Sequence, residues 1–340
     1  VKTQRHSIAV IGRKKYLQWD SQVAMAAGQL GHRVLHLQTN GRPPAIQCGR
    51  GVLKALPFCK RRTAERISDG WHARWMARRL SGATPDIIIL AGAMFITEPY
   101  YLMLNRFKVE HPGTIIVGWV GDRFNDTTAH RFRQSVLDLA CYTDSSFAGA
   151  FVQGLTTRYL PLAASPIFFS AIDYPEKSIE CIFVGSSSPH REAMLAAVRT
   201  PVTVYGNGWR RLKKNAPANI AVHDRKISPE RTRRLYEQAK ICLNFRNEKS
   251  VVHGVNQRSF EPFLGSCLVV HEQVADLASC FEIGREIVSF STSEELNHHL
   301  AALRADHAVR RQVAEAGRRR VLSEHTFTHR LHDLISELTG

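Results

Sequence analysis

Short, unbroken runs of β-branched and apolar residues recur along this chain, each followed by helix-compatible sequence, and the series occurs twice. SIAVIG (7–12) leads into a helical stretch from Trp19 to Leu30, Gly31 closes it, and HRVLHLQT (32–39) is the next strand. DIIILAG (86–92), TIIVGWVGD (114–122) and LACYTD (139–144) continue the series. Strands without polar alternation leave no face for water, so they belong to a parallel sheet covered by helices on both sides. The rhythm pauses at SPIFFSAIDYPEKS (165–178), where prolines and polar residues read as a connection. It resumes with IECIFVG (179–185), VTVYGNG (202–208), IAVHD (220–224), KICLNF (240–245) and CLVVHE (267–272). The expectation is two consecutive doubly wound α/β units. The 340 residues suffice for two cores of roughly 150 residues each.

Composition narrows the class. With 44% hydrophobic and 22% charged residues the chain is an ordinary folded protein, neither disordered nor membrane-spanning. Its longest apolar run, IIILAGAMFI (87–96), is about half of what a bilayer requires and reads as a buried strand with its exit loop. The N-terminal VKTQRHSIAVIG enters a strand at once and lacks a signal-peptide pattern. Seven cysteines, odd in number, dispersed and never C-x-x-C, indicate reduced thiols. The expectation is therefore a cytoplasmic protein. Charge is the one extreme: 22 Lys and Arg stand against 10 Asp and Glu before position 171, which gives that half +12 of the total +16. Such a bias favours an anionic partner, whether a phosphorylated substrate, an anionic membrane surface or nucleic acid. Nucleic-acid binding is disfavoured because no RNP, KH or zinc-finger word accompanies the basic residues.

Several segments carry candidate chemistry. In GSSSPHRE (185–192) Gly185 ends a strand, Ser186 follows it, Ser188 can cap a helix and Pro189 can open it. Arg191 then lies in a first turn, where a cation opposes the helix dipole unless an anion sits between them. YGNGW (205–209) contributes Tyr205 and Gly206 in a tight turn. In VVHGVNQRSFEPFLGSCLVV (251–270) a glycine-containing turn, Gly254, Val255 and Asn256, follows His253 and leads into a short helical segment bearing Arg258 and Glu261. Its N–H groups and dipole suit a diphosphate. Gly12 and Asp122 lie at strand C-terminal ends in the first half, where open α/β sheets place ligands. Metal binding finds no D-x-D, H-E-x-x-H or zinc-type spacing; the nearest candidate is His325, His329 and His332 on one helical face, a pattern more typical of packing. In CKRRTAERISDGWHARWMARR (59–79), Ile67, Trp71 and Trp75 share a face flanked by Arg66, Arg74 and Arg78. That helix either packs on the first sheet or meets an anionic membrane or charged glycan.

The words CIFVGSSSPHREAML, VYGNGW, LYEQAKICLNF, GVNQRSFEPFLGSCLVV, EIGREIVSFSTSEEL and AGRRRVLSEHTFTHRL, in this order over 179–332, resemble the C-terminal half of the CgeB-type branch of the group 1 retaining glycosyltransferases. In the first half the similarity lies mainly in GWVGDRF and in YTDSSF to RYLPLAA. The resemblance implies a GT-B architecture of two Rossmann-like domains. These would be an acceptor-side domain at 1–165, a linker at 166–178, a nucleotide-sugar domain at 179–322, and a C-terminal helix at 323–340 packing back at the junction. It implies transfer of a sugar from a nucleotide-diphosphate donor, expected to be UDP-linked, to a hydroxyl acceptor with retention. The acceptor would be a glycan, a glycolipid or a protein. No cofactor and no metal is implied; the nucleotide sugar is a substrate.

In such enzymes the second Glu of an E-x7-E motif takes the ribose hydroxyls, and Glu261 occupies that position; His253 stands where the first would fall. Gly12, Gly185, Ser186, Arg191, Tyr205, Gly206, His253, Gly254, Val255, Asn256, Arg258 and Glu261 are thus the expected donor-binding residues. Asp122 and Arg191 are the candidates for direct participation in transfer. Asp122 would contact the donor sugar or orient the acceptor, and Arg191 would neutralise the departing diphosphate. A sugar-nucleotide epimerase would use the same nucleotide site and is the alternative, followed by a basic nucleic-acid-binding protein. A peripheral position at the inner face of the membrane, through the basic first domain, is a further expectation.

Overall fold

All ten apolar runs are strands of two six-stranded sheets, and both sheets are parallel throughout. The computed structural model describes residues 4–13, 19–123, 136–169, 177–248 and 251–340. By its contacts the chain divides into two units. One comprises Val1–Thr143, Phe147–Leu160 and Leu331–Gly340; the other comprises Asp144–Ser146 and Pro161–Arg330.

In the first unit the strands are β1 (Ser7–Gly12), β2 (Arg33–Gln38), β3 (Ile87–Ala91), β4 (Ile115–Val120), β5 (Leu139–Tyr142) and β6 (Thr156–Tyr159), in the order β2-β1-β3-β4-β5-β6. All five residues of β3 are buried, as a strand covered on both faces requires. The edge strand β6, TTRY, has no apolar run, and for that reason the sequence pattern did not announce it. Helices α1 (Trp19–Gln29), α2 (Pro44–Ala55), α3 (Arg61–Ala83) and α4 (Glu98–Glu110) belong to this unit, as does the 331–339 part of the Phe327–Thr339 helix. Ala73, Met76 and Leu80 of α3 join Tyr100, Leu104 and Phe107 of α4 in one apolar cluster with the sheet.

This packing decides how α3 uses its tryptophans. Trp75 is half-buried, its ring stacked at 5.4 Å on that of His72 and covered by the Arg79 guanidinium at 5.6 Å. Trp71, 37% exposed, lies against Gly49 of α2, where an added Cβ would come within 2.8 Å of its ring. Both rings are largely engaged within the unit.

In the second unit the strands are β7 (Ile179–Val184), β8 (Val202–Gly206), β9 (Ile220–Asp224), β10 (Ala239–Asn244), β11 (Leu268–Glu272) and β12 (Val288–Phe290), in the order β12-β11-β10-β7-β8-β9. Phe183, Phe245, Phe260, Phe263, Phe281 and Phe290 are buried in one core cluster together with residues of the 293–305 and 307–324 helices. Chain order reverses between β7 and β10, because β8 and β9 extend to one side and β10 to β12 to the other. At such a reversal the connecting segments diverge and leave room outside the strand C-termini.

Candidate functional site

The reversal point of the second sheet is fastened by Arg191. It sits in the first turn of the Pro189–Ala197 helix, where Ser188 is the N-cap, its Oγ accepting from the Arg191 N–H at 3.3 Å. The side chain, however, turns inward and the residue is 4% exposed. Its Nη1 donates to Ser186 O just after β7, while its Nη2 and Nε donate to Phe245 O and Arg246 O just after β10. The guanidinium thus holds together the two strand ends that frame the crevice. This corrects the expectation that it projects from the helix toward an anion: the cost of a buried cation is offset here by three carbonyls.

Beside this staple the backbones of β7 and β8 come unusually close. Gly206 has φ +149, and an added Cβ there would fall 1.8 Å from Gly185 O. Gly185 O also accepts from Trp209 Nε1 at 2.9 Å. Only glycine fits at 206, and the result is a ledge without side chains at the sheet's C-terminal edge. Arg258 lies along it: its Nη2 would be 3.2 Å from a Cβ at Gly185, and its guanidinium stands 5.0 Å from the Phe183 ring centroid. Arg258 Nη1 donates to Asn244 Oδ1 at 2.9 Å, at the end of β10. Tyr205 is buried, its ring stacked on His223 at 4.4 Å.

The turn carrying Arg258 and Glu261 is held from beneath by a buried polar network. Ser259 Oγ meets His271 Nε2 at 2.8 Å and accepts from Asn244 Nδ2 at 3.1 Å and from the Asn256 N–H at 3.3 Å. Burial pushes the His271 imidazole down to about 4, so it is neutral. Asn256 caps the short turn Gln257–Ser259, its Oδ1 accepting from the Arg258 N–H. Glu261 follows at the head of Glu261–Leu264, half-buried, with Oε1 accepting from Gln257 Nε2 at 2.8 Å. Val255 is buried in the core.

The N–H of Gly254, expected to face a diphosphate, has a protein partner, as do the two N–H groups before it. The N–H groups of Val252 and His253 donate to the carboxylate of Asp144, at 2.8 Å and 3.1 Å for Oδ2, and the N–H of Gly254 bonds the same group. Burial pushes the Asp144 carboxyl up, but the Ser146 hydroxyl and these amides pull harder and hold it below its ordinary value. This corrects the reading of the Gly254 N–H as an open donor, and the Asn256 N–H is likewise taken, by Ser259 Oγ. His253 itself is exposed, with Nδ1 3.1 Å from Ser145 Oγ.

Further polar residues line the same strand ends. Glu272, at the end of β11, bonds His190 Nε2 at 2.9 and 3.0 Å, accepts from the Arg246 N–H at 3.0 Å, and lies 3.0 Å from Arg246 Nε. The Arg246 side chain stays 43% exposed. Asn244 and Glu272 escaped the sequence reading although each is the polar final residue of an apolar strand, a position that the strand-end rule singles out. Asp144, His271 and Ser259 gave no signal of their own, since their roles depend on contacts distant in sequence.

In the first unit Gly12 ends β1 at the reversal between β1 and β3. An added Cβ there would lie 2.3 Å from Asp20 Cβ. Asp20 is buried and accepts from Gln38 Nε2 at 2.7 Å and meets His36 Nε2 at 2.8 Å. Asp122 follows β4 and is half-buried. Among the described residues no group of three or more His, Cys, Asp or Glu is placed to hold a metal ion. His325, His329 and His332 do not share one helix, which starts at Phe327. His325 is buried against Cys280 O and Arg330, and burial pushes it down to about 4.

Residues 190–336 match the family model described as Glycosyl transferase-like. No curated protein matches the sequence. Among solved structures the chain is similar to sucrose-phosphate synthase from Thermosynechococcus elongatus, with TM-score 0.69, 12% identity, 98% of this chain and 99% of that chain. It is also similar to a glycosyltransferase from Rickettsia africae, with TM-score 0.65, 10% identity, 98% and 97%. HepE from Anabaena, solved in complex with UDP-glucose, gives TM-score 0.65, 10% identity, 98% and 100%. The fold is the two-domain α/β, Rossmann-like GT-B fold of glycosyltransferases.

Proposed function

We infer that the protein is a glycosyltransferase that takes a sugar from a nucleoside-diphosphate donor, UDP being the expected nucleotide, and passes it to a hydroxyl acceptor. The observation that carries this reading is the close backbone approach of Gly185 and Gly206 beside Arg258, with Arg246 just after β10, at the reversal point of the second sheet. A diphosphate needs backbone it can approach and cations beside it, and this edge has two glycines next to the half-buried Arg258 and a 43% exposed Arg246 side chain. The match of 190–336 to a glycosyltransferase-like model covers most of this site, and HepE, of the same fold, was solved with UDP-glucose.

In this reading Arg258 and Arg246 face the diphosphate, Glu261 takes the ribose hydroxyls, and Arg191 acts as a positioning residue that keeps the crevice open. Asp122 is assigned to the sugar or acceptor side. Transfer proceeds with retention and without a metal, the leaving phosphate oxygen helping to take the acceptor proton. The rate then rests on positioning and on neutralising the leaving group. Membership of the group 1 family, and of its CgeB-type branch, belongs to the same proposal, as does an acceptor drawn from cell-surface glycans or glycolipids. The test is turnover of a panel of nucleotide sugars, read as release of the nucleoside diphosphate. Slow release from one UDP-sugar, accelerated by a glycan or glycolipid acceptor, is expected. Absence of release across UDP, GDP, ADP and TDP sugars with such acceptors would overturn the reading.

A further inference from the structure

Helix α2 is apolar on two faces: Ile46, Gly49 and Leu53 are half-buried toward the unit, Gly49 against the Trp71 ring, and a second apolar arc is left in water. None of its twelve residues is buried. Its two cations point toward α3: Arg50 donates to Glu65 through Nε at 2.8 Å and Nη2 at 2.5 Å, and Lys54 Nζ lies 2.7 Å from the same carboxylate. The opposite, exposed arc carries Pro44, Ala45, Cys48, Gly51, Val52 and Ala55 with a single polar side chain, Gln47. Val52 is 64% exposed, and Phe58, in the turn after the helix, is 81% exposed. The fold already has its inward apolar face in Ile46 and Leu53, so the outer arc with Val52 and Phe58 is apolar surface that the unit's own packing does not use.

The exposed residues that follow this arc along the chain carry charge of one sign. Lys60, Arg61, Arg62 and Arg66 follow directly, all exposed, and none has a carboxylate partner among the described residues. From Arg42 to Arg79 the chain has ten Lys or Arg and only two acids, Glu65 and Asp69. Both acids lie under the surface: Glu65 is engaged by Arg50 and Lys54, and Asp69 by Arg42 and the Thr97 hydroxyl. An apolar arc with an aromatic tip, edged by cations of one sign, complements a bilayer with anionic headgroups. No described helix is long and apolar enough to cross a membrane, so the contact would be interfacial.

We propose that the outer face of α2, with Phe58 and the Lys60–Arg66 rim, docks the protein on an anionic lipid surface. The face shares no residue with the candidate nucleotide site, so the two readings stand or fall separately. The test is sedimentation of the full chain with phosphatidylcholine vesicles, with and without phosphatidylglycerol. Wild type should bind the anionic vesicles and release from them as salt is raised. V52D/F58S should lose most of the binding at every salt concentration. R61E/R62E should lose about fivefold in partitioning per charge removed, or more because the sign reverses. All variants should keep the melting temperature of wild type and the same response to UDP, since these side chains are exposed. Equal binding of wild type to neutral and anionic vesicles, or full binding by V52D/F58S, would overturn the proposal. So would a lipid-free dimer in analytical ultracentrifugation that V52D/F58S abolishes, because the face would then belong to a second copy of the chain.

Discussion

Glu261 and Arg191 were both expected to touch the donor, and their surroundings separate them. Arg191 is buried on three carbonyls, so its removal would loosen the strand ends at the reversal point rather than delete one phosphate contact. Glu261 is half-buried and also supports the buried Arg233, whose guanidinium burial pushes below its ordinary value and the Glu261 charge pulls back up. Glu261→Gln should therefore cost stability modestly, about 1 kcal/mol. It should weaken a ribose donor by about 1.5 to 3 kcal/mol, because the amide accepts at one oxygen only and has lost its charge. A 2′-deoxyribose donor already lacks one hydroxyl, so it should lose less. Titration of both donors against both proteins measures that coupling. Equal losses would remove the ribose from Glu261, and a several-kcal/mol fall in stability would assign the residue to Arg233 alone.

At the scale of elements, the turn 256–261 owes its shape to His271 on β11 and to Ser259, and this anchor titrates. His271 and His325 each have a folded value near 4 against an ordinary 6.5, chiefly because burial disfavours the charged imidazole. The unfolded chain thus binds more protons than the folded one between about pH 6.5 and pH 4, so stability is full above that window and is lost as the pH falls through it. The loss should reach on the order of 3 kcal/mol per histidine by pH 4. Urea denaturation from pH 7.5 to 4.5 should show it, and His271→Asn should flatten the slope. An unchanged slope in that variant would place the acid sensitivity elsewhere. The same elements mark what sequence could disclose. Buried strands such as IIILA and LVVHE declare themselves because both faces are apolar, whereas TTRY of β6 and VSF of β12 sit at sheet edges and carry little pattern. The spacing that brought Ile67, Trp71 and Trp75 to one face of α3 was legible. That α2 would cover one ring and His72 stack on another was not, because α2 is apolar on two faces and its sequence alone does not say which one turns inward.

Over the whole molecule, the two doubly wound sheets followed from the alternation of strands and helices, and the ligand edge followed from their order. What a single chain could not disclose was the traffic of side chains at that edge. The Gly254 turn looked like a set of open N–H donors, yet Asp144, more than 100 positions away, accepts from it. Glu272 and Asn244 were visible only as strand endings until His190, Arg246 and Arg258 were seen against them. The central claim is that the C-terminal edge of the second sheet holds a nucleoside diphosphate between the Gly185–Gly206 ledge and the arginines 246 and 258. The most direct test is calorimetric titration of the protein with UDP and with uridine. Saturable UDP binding at least about tenfold tighter than uridine, an advantage lost in Arg258→Ala, is the predicted result. Equal affinities for UDP and uridine, or a UDP preference that Arg258→Ala leaves intact, would contradict the account.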